Sequence, residues 1–362
     1  MNGPVLITTG GTGGHVFPAL ATARALRDRG RRVAFVTDRR GARYLRGENE
    51  VYEIAAASPT GSVRRRLDGI LAIARGTWQS RRLIGRLRPA ATAAFGGYAS
   101  VPTVLAAALA RQPILLHEQN AVLGRANRLA SRFARTLALT FADTRGVPPA
   151  HAGRSLVTGN PIRPGFAVAA VRAPGSGTDF RLLVLGGSQG ARVFGEVVPE
   201  AVANLPAAVR ERVRLTMQCR PEELAAVEQR CARLGIEAEL AAFFEDVAER
   251  MAASDLVITR SGASTVAELL HLARPAILVP YPHAADDHQR ANAERLVAAG
   301  AARMLPEEEF TPARLAELLA ALAETPATLA GMSEAAAGMA VGDAAERLAG
   351  AVLAMLEGEA GR

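Results

Sequence analysis

His15, the quartet His117-Glu118-Gln119-Asn120 and Arg163 are the residues of this 362-residue chain whose types and settings suit chemistry. His15 ends the run Thr8-Thr9-Gly10-Gly11-Thr12-Gly13-Gly14-His15, directly after the apolar Val5-Leu6-Ile7. An imidazole there can exchange protons near neutral pH, or serve as a backbone-satisfied helix cap. The quartet follows Ile114-Leu115-Leu116, at the carboxyl end of a buried strand, where open α/β sheets bind ligands. It reads as a binding and acid–base cluster, with a polar loop capped at Asn120 as the plainer alternative. Arg163 closes Gly159-Asn160-Pro161-Ile162-Arg163, a hinge-like turn ending in a planar fork suited to a diphosphate.

A second glycine turn, Gly186-Gly187-Ser188-Gln189-Gly190-Ala191, follows Leu182-Leu183-Val184-Leu185. Glycines between a strand and a helix let backbone N–H groups approach a phosphate. Neither turn continues into Gly-Lys-Ser/Thr, so a P-loop is excluded. Asp38 is the sole candidate for a ribose-binding acid of a dinucleotide site, and the glycine spacing does not match one. Gly262-Ala263-Ser264-Thr265-Val266-Ala267-Glu268 opens another helix after a strand, with Ser264 or Thr265 as cap. Glu268 either complements the helix dipole or accepts the hydroxyls of a ribose. Pro280-Tyr281-Pro282-His283-Ala284-Ala285-Asp286-Asp287-His288-Gln289 reads as a binding loop. The chain lacks HExxH and Asp-x-Asp patterns, so neither a metal nor another cofactor is expected.

The elements that must position these residues alternate strand and helix, which predicts a parallel sheet covered on both faces. In the first half the expected strands are 5–8, 32–37, 91–95, 114–117 and 136–139, with helices over 18–29, 101–110 and 124–132. The second half repeats the scheme: strands at 182–185, 214–218, 238–243, 256–259 and 276–279, helices at 193–205, 222–234 and 264–272. Residues 161–179, rich in Pro, Gly and Ser, read as a linker, and 342–358 as a final amphipathic helix. The length suits two domains.

All 43 basic residues are arginine, alongside abundant alanine, glycine and proline. That is a compositional bias, and no nucleic-acid partner is inferred from it. Their distribution is more telling: residues 1–163 hold 25 arginines against 8 acids, whereas the remainder is net acidic. The first half therefore meets something anionic. Residues 64–88 combine Arg64, Arg65, Arg66, Arg75, Arg81, Arg82, Arg86 and Arg88 with Leu67, Ile70, Leu71, Ile73, Trp78, Leu83, Ile84 and Leu87, an apolar set that helical spacing places largely on one stripe. This is either a packed helix with a solvated basic face or a surface helix for an anionic membrane, and the charge balance favours the membrane. Two cysteines, Cys219 and Cys231, make no disulfide framework, and no apolar run reaches the ~20 residues of a spanning helix. A cytoplasmic protein, peripheral at most, is the expectation.

Taken in order, Gly10–His15 with Pro18, His117–Asn120, Gly159–Arg163, Gly186–Ala191, Ser261–Glu268 and Pro282–Gln289 resemble the MurG family of bacterial glycosyltransferases. The resemblance runs from residue 10 to about 290, and Asp343-Ala344-Ala345-Glu346-Arg347 also matches. It implies an α/β GT-B glycosyltransferase fold, two Rossmann-like domains facing a cleft: an acceptor and membrane-side domain over 1–163, a UDP-GlcNAc-binding domain over 164–340, and a helix over 341–362 returning to the first. The implied reaction is inverting transfer of GlcNAc from UDP-GlcNAc to the MurNAc 4-hydroxyl of undecaprenyl-linked lipid I, giving lipid II for peptidoglycan. Donor-binding residues by the same resemblance are Thr12, Gly13, Gly14, Asn120, Arg163, Ser188, Phe244, Ala263, Ser264, Thr265, Val266, Ala267, Glu268, His288 and Gln289. Gly13, Gly14, Gly96, Gly97 and Tyr98 would meet the acceptor diphosphate. Ile70, Leu71, Ile73, Trp78, Arg75, Arg81 and Arg82 would meet the cytoplasmic face of the membrane. Cell-wall synthesis or division proteins are further expected partners. The family's Ser-Gly-Leu-Arg-Gly stretch is replaced by Ser58-Pro59-Thr60-Gly61-Ser62. The catalytic base is His15 or Glu118, and the sequence does not choose between them. A UDP-GlcNAc 2-epimerase and a non-enzymatic nucleotide-binding module are the competing readings.

Overall fold

The computed structural model describes residues 3–187 and 191–360, and the chain divides into two compact units, 1–163 with 341–362, and 164–340. The first unit contains β1 (Val5–Thr8), α1 (Gly13–Asp28), β2 (Val33–Thr37), α2 (Arg39–Ala42), β3 (Val51–Glu53), α3 (Val63–Leu87), β4 (Ala91–Ala94), α4 (Val101–Leu109), β5 (Ile114–Glu118), α5 (Arg125–Ala130), β6 (Thr136–Leu139) and β7 (Leu156–Val157). Its seven strands are all parallel, in the order β3-β2-β1-β4-β5-β6-β7. The strand order reverses between β1 and β4, the switch point where such sheets open a ligand crevice. The loops leaving those two strands are Thr9–Thr12 and Phe95–Ser100.

Parallel strands buried on both faces read as unbroken apolar runs, as β2 does. Successive residues still divide between two cores. Val5, Ile7, Phe35 and Ala93 pack with α1 on one face, and Leu6, Ala34, Val36 and Ala94 pack with Leu83, Ile84 and Val104 on the other.

The second unit contains α6 (Pro164–Val168), β8 (Phe180–Leu185), α7 (Arg192–Ala203), α8 (Ala207–Arg210), β9 (Val213–Gln218), α9 (Leu224–Leu234), β10 (Ala238–Ala241), α10 (Val247–Ala253), β11 (Leu256–Thr259), α11 (Ala263–His271), β12 (Ala276–Leu278), α12 (His288–Ala298), β13 (Ala302–Met304), α13 (Pro312–Glu324) and α14 (Pro326–Met339). Its parallel order β10-β9-β8-β11-β12-β13 repeats that of the first unit, with the switch point between β8 and β11. The last helix, α15 (Ala344–Ala360), belongs to the first unit, where Leu348, Ala349, Val352, Met355 and Leu356 complete the α1 side of the core.

Several boundaries differ from the sequence reading. Pro18 marks no helix start: α1 begins at Gly13, because His15 N–H already bonds Thr12 O (3.0 Å). Residues 161–179 are not a bare linker. Phe166 is buried, and the fully buried Asp255 accepts from Arg172 Nη1 (2.8 Å), Gly175 N (2.7 Å) and Arg181 N (2.8 Å). This segment is thereby fastened to the second unit's sheet.

Candidate active site

The first unit's chemistry-bearing residues converge on its switch point. The His15 ring stands on the first turn of α1, against the glycine turns that leave β1 and β4. A methyl group at Gly10 would meet His15 Cδ2 at 2.8 Å, and one at Gly97 would stand 3.5 Å from His15 Nε2. Gly96 and Gly97 have φ of +80° and +73°, the left-handed region that a side chain strains, and Ser100 locks the turn through Oγ to Gly97 O (2.8 Å). Glycine is therefore required here twice, by conformation and by the approach of the imidazole.

The other edge of the ring is held from β5. His15 Nδ1 lies 3.1 Å from Gln119 Oε1, and Gln119 Nε2 reaches Phe95 O (2.9 Å) and His117 Nδ1 (3.1 Å). His117 Nε2 in turn meets Gly159 O (3.0 Å). His117 is fully buried, and that burial lowers its pKa from the ordinary 6.5 to about 4, so it is neutral. Gln119 was legible only as one member of the polar quartet. Its link to His15 spans 104 residues of sequence.

Glu118, one of the two candidate bases, has a different setting. Its Oε1 accepts from Asn120 N (3.0 Å) and Asn120 Nδ2 (3.1 Å). Its Oε2 accepts from Gly124 N (3.0 Å) and Asn127 Nδ2 (2.7 Å). Four donors occupy the four lone-pair sites of a carboxylate, which makes Glu118 the anchor of the 120–124 turn. Asn120, expected at the donor, spends its side-chain amide on the same carboxylate. Asp38 caps α2, accepting from Gly41 N (2.9 Å) and Arg40 Nε (3.0 Å), and is thereby accounted for without a ribose. The Arg163 guanidinium lies 5.5 Å from the centre of the Phe17 ring, beside the start of α1.

In the second unit, Gly186 and Gly187 follow β8, but Ser188 lies outside the described residues. Across that unit's switch point, α11 is capped by Gly262, which has no side chain to offer the first N–H groups; the sequence had offered Ser264 or Thr265. Ser264 Oγ is buried without a hydrogen-bond partner among the described residues. Glu268 is buried at the sixth position of α11, too far along to serve as a first-turn acid for the dipole. Ser261 Oγ bonds Gln289 O (2.7 Å), and Asn292 Nδ2 bonds Ser261 O (3.0 Å), which ties the start of α12 to the approach of α11. Gln289 Oε1 accepts Tyr281 N–H (3.0 Å), orienting its amide so that both Nε2 protons point elsewhere. His288 Nδ1 donates to Ala285 O (2.6 Å). Asp286 and Asp287 both have φ of +53°, consecutive left-handed residues in the loop before α12, and such strain concentrates at ligand-binding loops. Phe244 is buried, with the Arg250 guanidinium 4.3 Å from its ring centre. Among the described residues no three His, Cys, Asp or Glu side chains cluster as metal ligands do.

On α3 the apolar residues form two opposed stripes. Gly69, Gly76, Ser80, Leu83 and Ile84 are buried. A Cβ at Gly76 would fall 2.0 Å from Ala55 O, and Ser80 Oγ meets Thr103 Oγ1 of α4 (3.1 Å). Val63, Leu67, Ile70, Leu71 and Trp78 are exposed; at 100° per residue they occupy one side of the helix. Exposed Arg64, Arg66, Arg75, Arg81 and Arg82 border this stripe, Arg82 stacking on Trp78 at 3.8 Å. Ile73, Leu83, Ile84 and Leu87, expected with the exposed set, are instead half-buried (Ile73, Leu87) or buried (Leu83, Ile84), because their positions on the helical wheel fall on the side of Gly69 and Ser80. The departing loop at 58–62 packs through Pro59 on Gly69, where a Cβ would stand 2.7 Å from Pro59 Cα.

The glycosyltransferase family 28 N-terminal domain matches residues 5–139, and the family's C-terminal domain matches 181–348. A UDP-N-acetylglucosamine–N-acetylmuramyl-(pentapeptide) pyrophosphoryl-undecaprenol N-acetylglucosamine transferase of Rhodospirillum centenum is 50% identical, over 97% of this chain and 94% of its own length. A transferase of the same name from Methylobacterium radiotolerans is also 50% identical, over 96% of each chain. The crystal structure of Acinetobacter baumannii MurG superposes with a TM-score of 0.81 at 30% identity, covering 97% of this chain and 99% of the other. Two parallel Rossmann-like sheets, the switch-point glycine turns and full-length identity at this level agree: the chain is a glycosyltransferase of family 28 and belongs to its N-acetylglucosaminyltransferase branch, the MurG family.

Proposed function

We propose that this enzyme transfers GlcNAc from UDP-GlcNAc to the MurNAc 4-hydroxyl of undecaprenyl-diphospho-MurNAc-pentapeptide, with His15 as general base. The placement of His15 carries this reading: its ring edge lies against Gly10 and Gly97, where an acceptor diphosphate held by the Gly96–Tyr98 turn would bring a sugar hydroxyl within reach. His15 takes the proton of the 4-hydroxyl as that oxygen forms a bond to C1 of GlcNAc. The bond from C1 to the diphosphate oxygen breaks, its electron pair leaves with UDP, and attack from the opposite side inverts the anomeric centre. Glu118 is the lesser candidate, since all its acceptor sites are occupied within the turn.

The second unit holds the donor. The open N-terminus of α11 and Ser264 receive the diphosphate, whose growing charge on departure is met by helix N–H groups. Glu268 accepts the ribose hydroxyls, and Gln289 Nε2 with His288 addresses the sugar. The activity test is UDP release from UDP-GlcNAc with and without a short-chain lipid I analogue. Release is expected only with the acceptor; acceptor-independent release would instead mark an epimerase-like hydrolysis and overturn the assignment.

The exposed stripe of α3 rests on the membrane surface that carries the acceptor. No described helix is long and apolar enough to cross a membrane. Apolar side chains ringed by arginines suit the headgroup boundary of an anionic bilayer. Replacing Leu71 and Trp78 together by serine is expected to lower binding to phosphatidylglycerol vesicles by at least about tenfold, from the loss of burial of two large side chains. Turnover on a water-soluble acceptor should stay near the parent's. Unchanged vesicle sedimentation would remove α3 from this role.

A further inference from the structure

We infer that Gln119 is a positioning residue that fixes His15 in the Nδ1–H tautomer, so that Nε2 carries the lone pair offered to the substrate. The inference rests on the reading of His15 as the base and deepens it. Left to itself, a neutral imidazole can carry its proton on either nitrogen. Here the choice is imposed from two carbonyl oxygens, which can only accept.

One anchor is Phe95 O, 2.9 Å from a terminal atom of the Gln119 amide; that atom must be the NH2 group, which directs the amide oxygen toward His15. An oxygen at 3.1 Å from His15 Nδ1 requires the proton on Nδ1. The second anchor is Gly159 O, 3.0 Å from His117 Nε2, which requires the proton on that nitrogen. The neutral His117 ring then has its lone pair on Nδ1, and it accepts the second proton of the Gln119 NH2 group at 3.1 Å. The two anchors lie on different elements, yet they impose the same polarity. Gly159 O, His117, Gln119 and His15 therefore form a chain of one-way hydrogen bonds ending on the base.

The arrangement keeps its polarity through turnover. When Nε2 gains the substrate proton, Nδ1 still donates to Gln119, so no partner has to turn over. An amide in this place also leaves the ring without the carboxylate that would favour its protonated form. The buried neutral His117 is the part of the chain that makes it rigid: a charged His117 would have no lone pair for Gln119.

The test is a two-bond 1H–15N correlation spectrum of the full-length protein with 15N-labelled histidine, the six rings assigned by substitution. His15 is expected with a protonated Nδ1 and a bare Nε2, and His117 with the opposite pair. A native His15 carrying its proton on Nε2 overturns the inference. In the Gln119→Leu variant the His15 proton should move in part to Nε2, with kcat down at least tenfold and KM for UDP-GlcNAc within about twofold of the parent. Gln119→Glu should keep the tautomer but move the acid limb of kcat/KM upward by about one pH unit, because a carboxylate beside the ring favours its protonated form. An unmoved tautomer in Gln119→Leu together with an unmoved pH profile in Gln119→Glu also overturns it. The two readings fail separately. Turnover retained in His15→Ala removes the base and this inference with it; an Nε2–H His15 in an enzyme that needs His15 removes the role of Gln119 alone.

Discussion

Replacing His15 with alanine is expected to lower kcat by about 10²-fold or more, the ordinary contribution of a positioned general base. UDP-GlcNAc should still bind, because the proposed nucleotide contacts lie in α11 and the loop before α12, within a unit of its own. Calorimetric titration of the variant with UDP-GlcNAc and single-turnover assays with a lipid I analogue separate the two effects. The fold should tolerate the change: the ring lies against two glycine turns whose conformations are set by their own backbone and by Ser100. Turnover within a few-fold of the parent would take His15 out of the reaction and return Glu118 to consideration.

Acid sensitivity of the first unit is the second large effect. His117 is held below its ordinary pKa of 6.5, at about 4, chiefly because burial disfavours its charged form. As pH falls, the unfolded chain takes up this proton first, so the folded form loses stability between about 6.5 and about 4 and loses no more from this group below that. The full loss amounts to roughly 3 kcal/mol, at about 1.4 kcal/mol per pH unit within the window. Above about pH 7.5, where the unfolded ring is also neutral, His117 contributes almost no slope. The chain has a single tryptophan, Trp78 on α3, so its fluorescence in urea reports the first unit alone. Between pH 6.2 and 5.2 carboxylates contribute little, and a His117→Gln variant should flatten the dependence by about one proton. Equal slopes in parent and variant would contradict a neutral, desolvated His117.

The strands were the most legible part of the sequence, since burial on both faces writes a parallel strand as an unbroken apolar run. Strands β3, β7 and β13 escaped because runs of two or three residues carry little pattern. The helix expected over 18–29 begins earlier, at Gly13, because the glycine turn itself winds into α1. Residues 161–179 have linker composition, and nothing local announces that Asp255, 80 residues beyond Gly175, accepts its N–H. The same limit applies at the site. His15, Glu118 and Gln119 were visible as polar residues after buried strands; Glu118 finds its partners within nine residues, whereas the contact of Gln119 with His15, on which their proposed roles rest, joins residues 104 apart. Glu268 lies beyond the first turn of α11 because that helix begins at Ala263, ahead of the Ser264 or Thr265 cap that the sequence suggested.

The return of α15 to the first unit sets an order of events on the ribosome. Synthesis runs from the N-terminus, and domains ordinarily complete themselves in that order. Here the strands and α1 of the first unit emerge early, yet the residues that cover one side of their core, Leu348, Ala349, Val352, Met355 and Leu356, are translated after the whole second unit. The second unit is continuous over 164–340 and has all its residues before α15 is made. The first unit is thus completed after the second, and during the interval Val5, Ile7, Phe35 and the inner face of α1 lack their final cover. A chain released before α15 would carry a complete second unit and a first unit whose core is open on one side.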